Sequence, residues 1–321
     1  MPFPSYAHAS DADIQALYAF FMHGVAPVAQ ADRKEGIAWP LSLRWPLTWW
    51  RWAFAPAVGE PAPAASDPLQ ARGAYLVQGL GHCGTCHTPR GYGMEEKALT
   101  AAGGPAYLSG AVVDHYLASN LRGGDLTGLG SFSEEDIVRL LQTGRDSETA
   151  VFGGMASVVS HSTQFLHDDD LRAIARFLKS LPGTGSEAGV IYEASAASAL
   201  AEGNVSARGS LDYVNNCAAC HQSSGKGYLA TFPALAGNPV VNGADPSSLI
   251  NIVLNGASMP QTAGAPTPFA MPPFRDRLSD QEASDVVTFI RSSWGNKGAP
   301  VTPAQVAQLR TATAAPVAAA R

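Results

Sequence analysis

The four cysteines of this 321-residue chain all lie in two short runs. The first is Cys83-Gly84-Thr85-Cys86-His87 and the second Cys217-Ala218-Ala219-Cys220-His221. Both read C-x-x-C-H. No cysteine remains for a structural disulfide, so the residue type is reserved for these motifs. Two thiols one helical turn apart, followed at once by an imidazole, suit covalent attachment of a porphyrin. The sulfurs reach its two vinyl groups and the histidine becomes the proximal ligand of the iron. The pattern predicts two covalent haems c, on Cys83, Cys86 and His87 and on Cys217, Cys220 and His221. A single four-cysteine zinc site would have to join pairs far apart in the chain and would leave both histidines unexplained. A thioredoxin-like redox pair would occur once, between a strand and a helix.

A six-coordinate haem iron takes a second axial ligand, commonly Met in electron-transfer cytochromes. A repeated pattern selects two of the six methionines. Met155 is followed by His167-Asp168-Asp169-Asp170-Leu171 and an apolar stripe at Leu171, Ile174, Phe177 and Leu178. Met271, in Met271-Pro272-Pro273-Phe274, is followed by Ser279-Asp280-Gln281-Glu282 and a stripe at Val286, Phe289 and Ile290. Each therefore precedes an acidic helix start and a helix with one apolar face. Met155 is expected to pair with His87, and Met271 with His221. Met259, in the loop Asn255 to Pro260, is the competitor for the second haem, and His161 is a reserve ligand for the first. A thioether ligand favours Fe(II) and raises the reduction potential. Filled axial positions argue against oxygen binding and peroxidase chemistry, and no catalytic residue is expected in the chain itself.

These ligands must be carried by small helical units. The expected fold is all-α, in tandem class I cytochrome c-like domains. In each, a C-terminal helix packs its stripe on the N-terminal helix that precedes a C-x-x-C-H. The boundaries are read as 68–183 and 204–297, with a flexible Ala- and Pro-rich tail over 298–321. Residues 60–68 read as a linker. Pro233 is expected to accept a hydrogen bond from the His221 ring through its carbonyl, with the stretch Tyr107 to Gly110 as its counterpart in the first domain.

The same tail pattern occurs a third time near the start. Met1-Pro2-Phe3 precedes Ser10-Asp11-Ala12-Asp13-Ile14 and a stripe at Leu17, Phe20 and Phe21. Residues 1–57 then read as the C-terminal remnant of a further cytochrome domain plus a Trp-rich connector, and the chain as the later part of a three-haem protein. On that reading the helix at Leu17 to Phe21 lacks its partner and exposes its rings. Haem attachment requires export, and the sequence has no signal peptide, which fits the same reading.

Composition bounds the rest. The net charge is −6 with only 15% charged residues, and no basic run marks a nucleic-acid partner. No apolar stretch reaches the ~18 residues of a membrane span. Residues 39–54 hold five of the six tryptophans. They read as a connector packing on neighbouring haem domains, or as a surface for a partner or membrane.

The chain resembles the three-haem cytochrome c subunits of membrane-bound bacterial alcohol, gluconate, sorbitol and fructose dehydrogenases. The likeness is carried by Asp11 to Val28, by Trp39 to Phe54 and by Gly128 to Gly144. Met271-Pro272-Pro273-Phe274 and Ser293-Trp294-Gly295-Asn296 also match. The resemblance implies a periplasmic location on the inner membrane, with peripheral membrane contact. It implies a large flavin- or PQQ-containing dehydrogenase subunit as electron donor, a small third subunit in some complexes, and ubiquinone as acceptor. Cys83, Cys86, His87 and Met155 would serve the family's second haem, and Cys217, Cys220, His221 and Met271 its third. The first C-x-x-C-H of the family has no counterpart. The competing readings are a free soluble periplasmic two-haem carrier and a haem peroxidase with one open iron.

Overall fold

The computed structural model describes residues 2–31, 36–40, 42–55, 67–184 and 188–314. Met1 and most of the expected linker lie outside them. An N-terminal arm holds α1 (Phe3–Tyr6), α2 (Asp11–Ala19) and α3 (Pro46–Phe54). The first buried core is built by α4 (Pro68–Tyr75), α5 (Gly84–His87), the hairpin β1 (Ala111–Val113) and β2 (Tyr116–Ala118), α6 (Glu134–Thr143), α7 (Gly154–His161) and α8 (Asp168–Ser180). The second follows with α9 (Ser195–Ala201), α10 (Ser210–Asn216), α11 (Ala218–His221), α12 (Pro239–Asn242) and α13 (Ser247–Asn255). The short strands β3 (Ala257–Ser258) and β4 (Ala270–Met271), then α14 (Asp280–Ser292) and α15 (Pro303–Ala312), complete it.

The two C-terminal helices form for the reasons the sequence suggests. Ser279 and Glu282 make a reciprocal capping box on α14. Three aspartates occupy the first turn of α8, where they favour the positive end of the helix dipole. Leu171, Ile174, Phe177 and Leu178 on α8 are buried, as are Val286, Phe289 and Ile290 on α14. Each helix crosses an N-terminal helix at a glycine. A Cβ on Gly73 of α4 would lie 1.9 Å from the Ala173 carbonyl oxygen of α8, and one on Gly209, just before α10, 2.2 Å from that of Asp285 on α14. Only glycine lets the backbones approach this closely, and Gly209 also has φ +80°. Arg72 of α4 grips Asp170 of α8 with two hydrogen bonds, at 2.7 and 3.0 Å, and Tyr213 of α10 stacks on Phe289 with centroids 5.5 Å apart.

One expectation changes. The stretch after 298 is not a free tail over its described part. Thr302 and Gln305 form a capping box, Pro303 starts the helix, and Val301 and Val306 are buried against the second core. Arg310 then ties α15 to Asp280 at 2.7 Å and to the Leu278 carbonyl at 2.9 Å. An Ala-rich sequence hid a helix whose apolar contacts are few but well placed; residues 315–321 lie outside the described chain. Among the described residues the arm is seated through α1, where Pro4, Ser5 and the following Ala7 are buried, and by a few side-chain contacts. Tyr75 donates to Asp13 and accepts from the Ser10 N–H, Tyr6 packs edge-on to His82, and Trp50 donates to the Gly93 carbonyl at 2.6 Å. Of the five clustered tryptophans, Trp50 is the one seated this way, while Trp39, Trp45, Trp49 and Trp52 are exposed. Leu17, Phe20 and Phe21 are 47, 58 and 64% exposed.

Candidate haem sites

Both C-x-x-C-H runs fold as one short helical turn, α5 and α11, at the end of a longer helix. The path into the first is a π-helical turn over Leu76–Leu80, continuous with α4. None of the four cysteines is in a disulfide. Burial pushes Cys83 and Cys217 up to about 12, so neither is the low-pKa thiolate of a redox pair. Among the described residues no three His, Cys, Asp or Glu side chains converge as a metal site, so the cysteines do not gather into a zinc cluster.

The histidines are oriented alike. His221 Nδ1 lies 2.9 Å from the Pro233 carbonyl oxygen, as the sequence suggested. His87 Nδ1 lies 2.7 Å from a carbonyl too, but that of Ser119. The expected counterpart at Tyr107 to Gly110 serves otherwise: the Gly110 N–H donates to the backbone oxygen of His87. A longer excursion through the β1–β2 hairpin brings Ser119 to the ring instead. A carbonyl can only accept, so Nδ1 carries the proton and Nε2 keeps its lone pair. Burial holds both imidazoles below their ordinary pKa and therefore neutral. A neutral, oriented Nε2 beside two free thiols is the donor set a covalent haem requires, and the residues present fit it.

The methionine segments are tied to these histidine supports by aromatic pairs. Tyr116, on the strand leading to Ser119, packs on Phe152, with centroids 5.8 Å apart, and Phe152 precedes Met155 at the start of α7. Phe232, beside Pro233, packs on Phe269 at 5.6 Å, and Phe269 precedes Met271. Met271 sits on β4, paired with Ala257 of β3. Met155 and Met271 are both half-buried. A cleft of about 510 Å³ opens between Tyr116 and Gly153 on one side and the Met271 strand on the other. Met259 has a different neighbour: its Sδ lies 3.9 Å from Arg145 Nη1, and that guanidinium stacks on Phe269.

Polar groups to which sequence reasoning assigned no role hold the second site's loops. Asn296 accepts from Gly237 and Asn242 and donates to the Leu235 and Ile290 carbonyls. The buried Arg291 donates to three carbonyls, of Val241, Gly243 and Ala299, and burial lowers its pKa. Trp294 donates to Ser223 at 3.0 Å and packs on Tyr213 and Phe289. Only Trp294 and Asn296 could have been found, through the Ser293 to Asn296 match.

The family model for cytochrome c matches residues 206–294. The cytochrome c subunit of the quinone alcohol dehydrogenase of Gluconacetobacter polyoxogenes is 52% identical over 322 residues, spanning 99% of this chain and 69% of that protein. The chain belongs to the family of dehydrogenase cytochrome c subunits. The gluconate 2-dehydrogenase cytochrome c subunit of Pantoea cypripedii is 54% identical over 316 residues, 97% of this chain and 72% of the relative. The fructose dehydrogenase cytochrome subunit of Gluconobacter japonicus is 32% identical over 338 residues, 97% of this chain and 66% of that protein. As a member of the dehydrogenase cytochrome c subunits, this chain is an electron-transfer protein carrying covalent haem c. Among the described residues, no helix is long and apolar enough to cross a membrane.

Proposed function

We propose that the chain is a two-haem electron-transfer subunit with tandem cytochrome c domains over 68–183 and 204–297. It would accept electrons from the large flavin- or PQQ-containing subunit of a dehydrogenase, alongside a small third subunit where one is present, and pass them to ubiquinone. The relatives are subunits of alcohol, gluconate and fructose dehydrogenases, which supports a sugar, sugar-acid or alcohol oxidising partner. The setting proposed is the periplasmic face of the bacterial inner membrane, reached by peripheral contact, with the exposed Trp39, Trp45, Trp49 and Trp52 as the surface offered.

One observation carries the reading: the two motifs share a bracing scheme. In each, a histidine is fixed through Nδ1 on a backbone carbonyl, and that carbonyl's loop is tied by an aromatic pair to a methionine segment. Haem c supplies a one-electron Fe(II)/Fe(III) couple when bound. Cys83 and Cys86, like Cys217 and Cys220, anchor it; His87 and His221 are proximal ligands, Met155 and Met271 distal. The engagement of the Met259 sulfur with Arg145 supports Met271 over Met259. Residues 1–57 remain in this account the end of a preceding cytochrome domain plus a connector, the exposed α2 stripe being the face that domain would cover.

The test is expression with an export signal in a host that matures c-type cytochromes. Met155→Ala and Met271→Ala should each convert one low-spin haem to high spin, and Met259→Ala should convert none. A high-spin signal from Met259→Ala would transfer the ligand role. Co-purification with a flavin or PQQ dehydrogenase subunit is expected; a chain that stays monomeric beside such a subunit would instead be a free carrier.

A further inference from the structure

Each proximal histidine leans on a carbonyl whose loop is hydrogen-bonded by the other half of the molecule. In the first half, the Asp146 side chain is buried, at 4% exposure. Its Oδ1 accepts from the N–H groups of Glu148 and Thr149, both at 2.7 Å, and so fixes the turn between α6 and α7. The Ser147 and Glu148 carbonyls of that turn accept from Ala230 at 2.9 Å and Ala234 at 2.6 Å in the second half. The Pro233–Ala234 peptide is therefore held at both ends. Its N–H donates to Glu148 and its oxygen accepts from His221. Donation at one end of a peptide strengthens acceptance at the other.

The reverse brace acts two residues from the carbonyl it supports. Ser248 of α13, 1% exposed, accepts through Oγ from the Leu117 N–H at 2.8 Å and donates to the Leu117 carbonyl at 3.3 Å. Asn251 of the same helix donates to the His115 carbonyl at 3.1 Å. These residues belong to the hairpin that ends at Ser119, the acceptor of His87.

We propose that this crossed bracing tunes the two haems: Asp146 is a positioning residue for His221, and Ser248 for His87. The inference rests on the reading that both histidines ligate haem. An Nδ1–H bond to a well-placed carbonyl raises the basicity of the ligand, which favours Fe(III). Loosening the carbonyl raises the reduction potential of the haem in the opposite half.

The experiment is a spectroelectrochemical titration of the full haem-loaded chain. Met271→His, which lowers the potential of its haem, identifies the second haem. Asp146→Ala is expected to shift that haem's reduced-to-oxidised ratio at fixed potential by about tenfold toward reduced, or about 59 mV for one electron, with the first haem unmoved. Ser248→Ala is expected to move the first haem in the same direction, by less. Asp146→Asn keeps the Oδ1 acceptor and should stay near wild type. Equal shifts in Asp146→Ala and Asp146→Asn would assign the effect to charge and overturn the positioning role. Shifts within the same half, or none, overturn it as well. Should Asp146→Ala not fold, Ser248→Ala carries the same crossed expectation. If Met271→His moves neither haem, the ligand reading beneath the inference fails instead.

Discussion

His221 finds its carbonyl 12 residues downstream, and His87 finds its own 32 residues downstream. The two motifs are alike in sequence, and the two rings end in the same chemical state. The routes differ. After His221 a short loop turns back at once and brings the Pro233 carbonyl to the ring. After His87 the chain makes a longer excursion, closes a hairpin, and returns at Ser119. The motif dictates what the histidine needs, while loop length decides which residue supplies it.

The comparison can be broken most severely at the cysteines. Cys217→Ala with Cys220→Ala should reduce haem content from two to one and leave a low-spin spectrum from the remaining site; the Cys83→Ala, Cys86→Ala pair should do the same in mirror image. Pyridine haemochrome quantitation reads this directly. Loss of both haems from either pair would show that the halves do not load independently.

The helix crossings give the next largest effect. Gly73→Val and Gly209→Val both force a side chain into a backbone carbonyl and should each cost roughly 3 kcal/mol, measured by urea unfolding. Gly209→Val should be the worse of the two, since its positive φ adds about 1 kcal/mol of strain. Negligible losses would mean that the two crossings are looser than these close approaches imply.

The ion pairs across those crossings differ more subtly. Arg72 holds Asp170 by two bonds and keeps its carboxyl below the usual carboxylate range. That contribution is complete above the unfolded carboxylate value of about 3.9 and is lost as pH falls through the lower folded value. Asp170→Asn should therefore cost up to about 1 kcal/mol at pH 7, with the gap to wild type closing below about pH 4. Arg208, which meets Asp285 at 2.8 Å, is 72% exposed, so Asp285→Asn should cost less. Smallest of all is Phe21→Ala in the exposed π-helical turn Phe20–Gly24 that follows α2, expected within about 0.5 kcal/mol; a large loss would mean that this face is covered in solution.

Much of this architecture was legible where local chemistry is self-sufficient. The caps and stripes of α8 and α14 were readable because their period and acidic starts lie within one stretch of chain. Pro233 was readable because it lies in a short loop, Phe232 to Asn238, close after the second motif. Ser119 and Ser248 were not, because nothing near them in sequence says what they meet: Ser119 reaches His87 only once the hairpin has closed, and Ser248 reaches Leu117 only when the halves pack. Asp146 caps a local turn, and the reach of that turn to Ala230 and Ala234 likewise appears only when the halves pack. α15 was missed for a related reason, since alanine-rich sequence looks mobile until Val306 finds a core.

The most direct test of the central claim is the haem content and low-temperature optical spectrum of the purified chain, matured with an export signal. Two covalent haems per chain, both low-spin and showing the weak long-wavelength band of Met-ligated Fe(III), are predicted. One haem per chain, or a high-spin signal in the unmodified protein, would contradict the paired His87/Met155 and His221/Met271 sites.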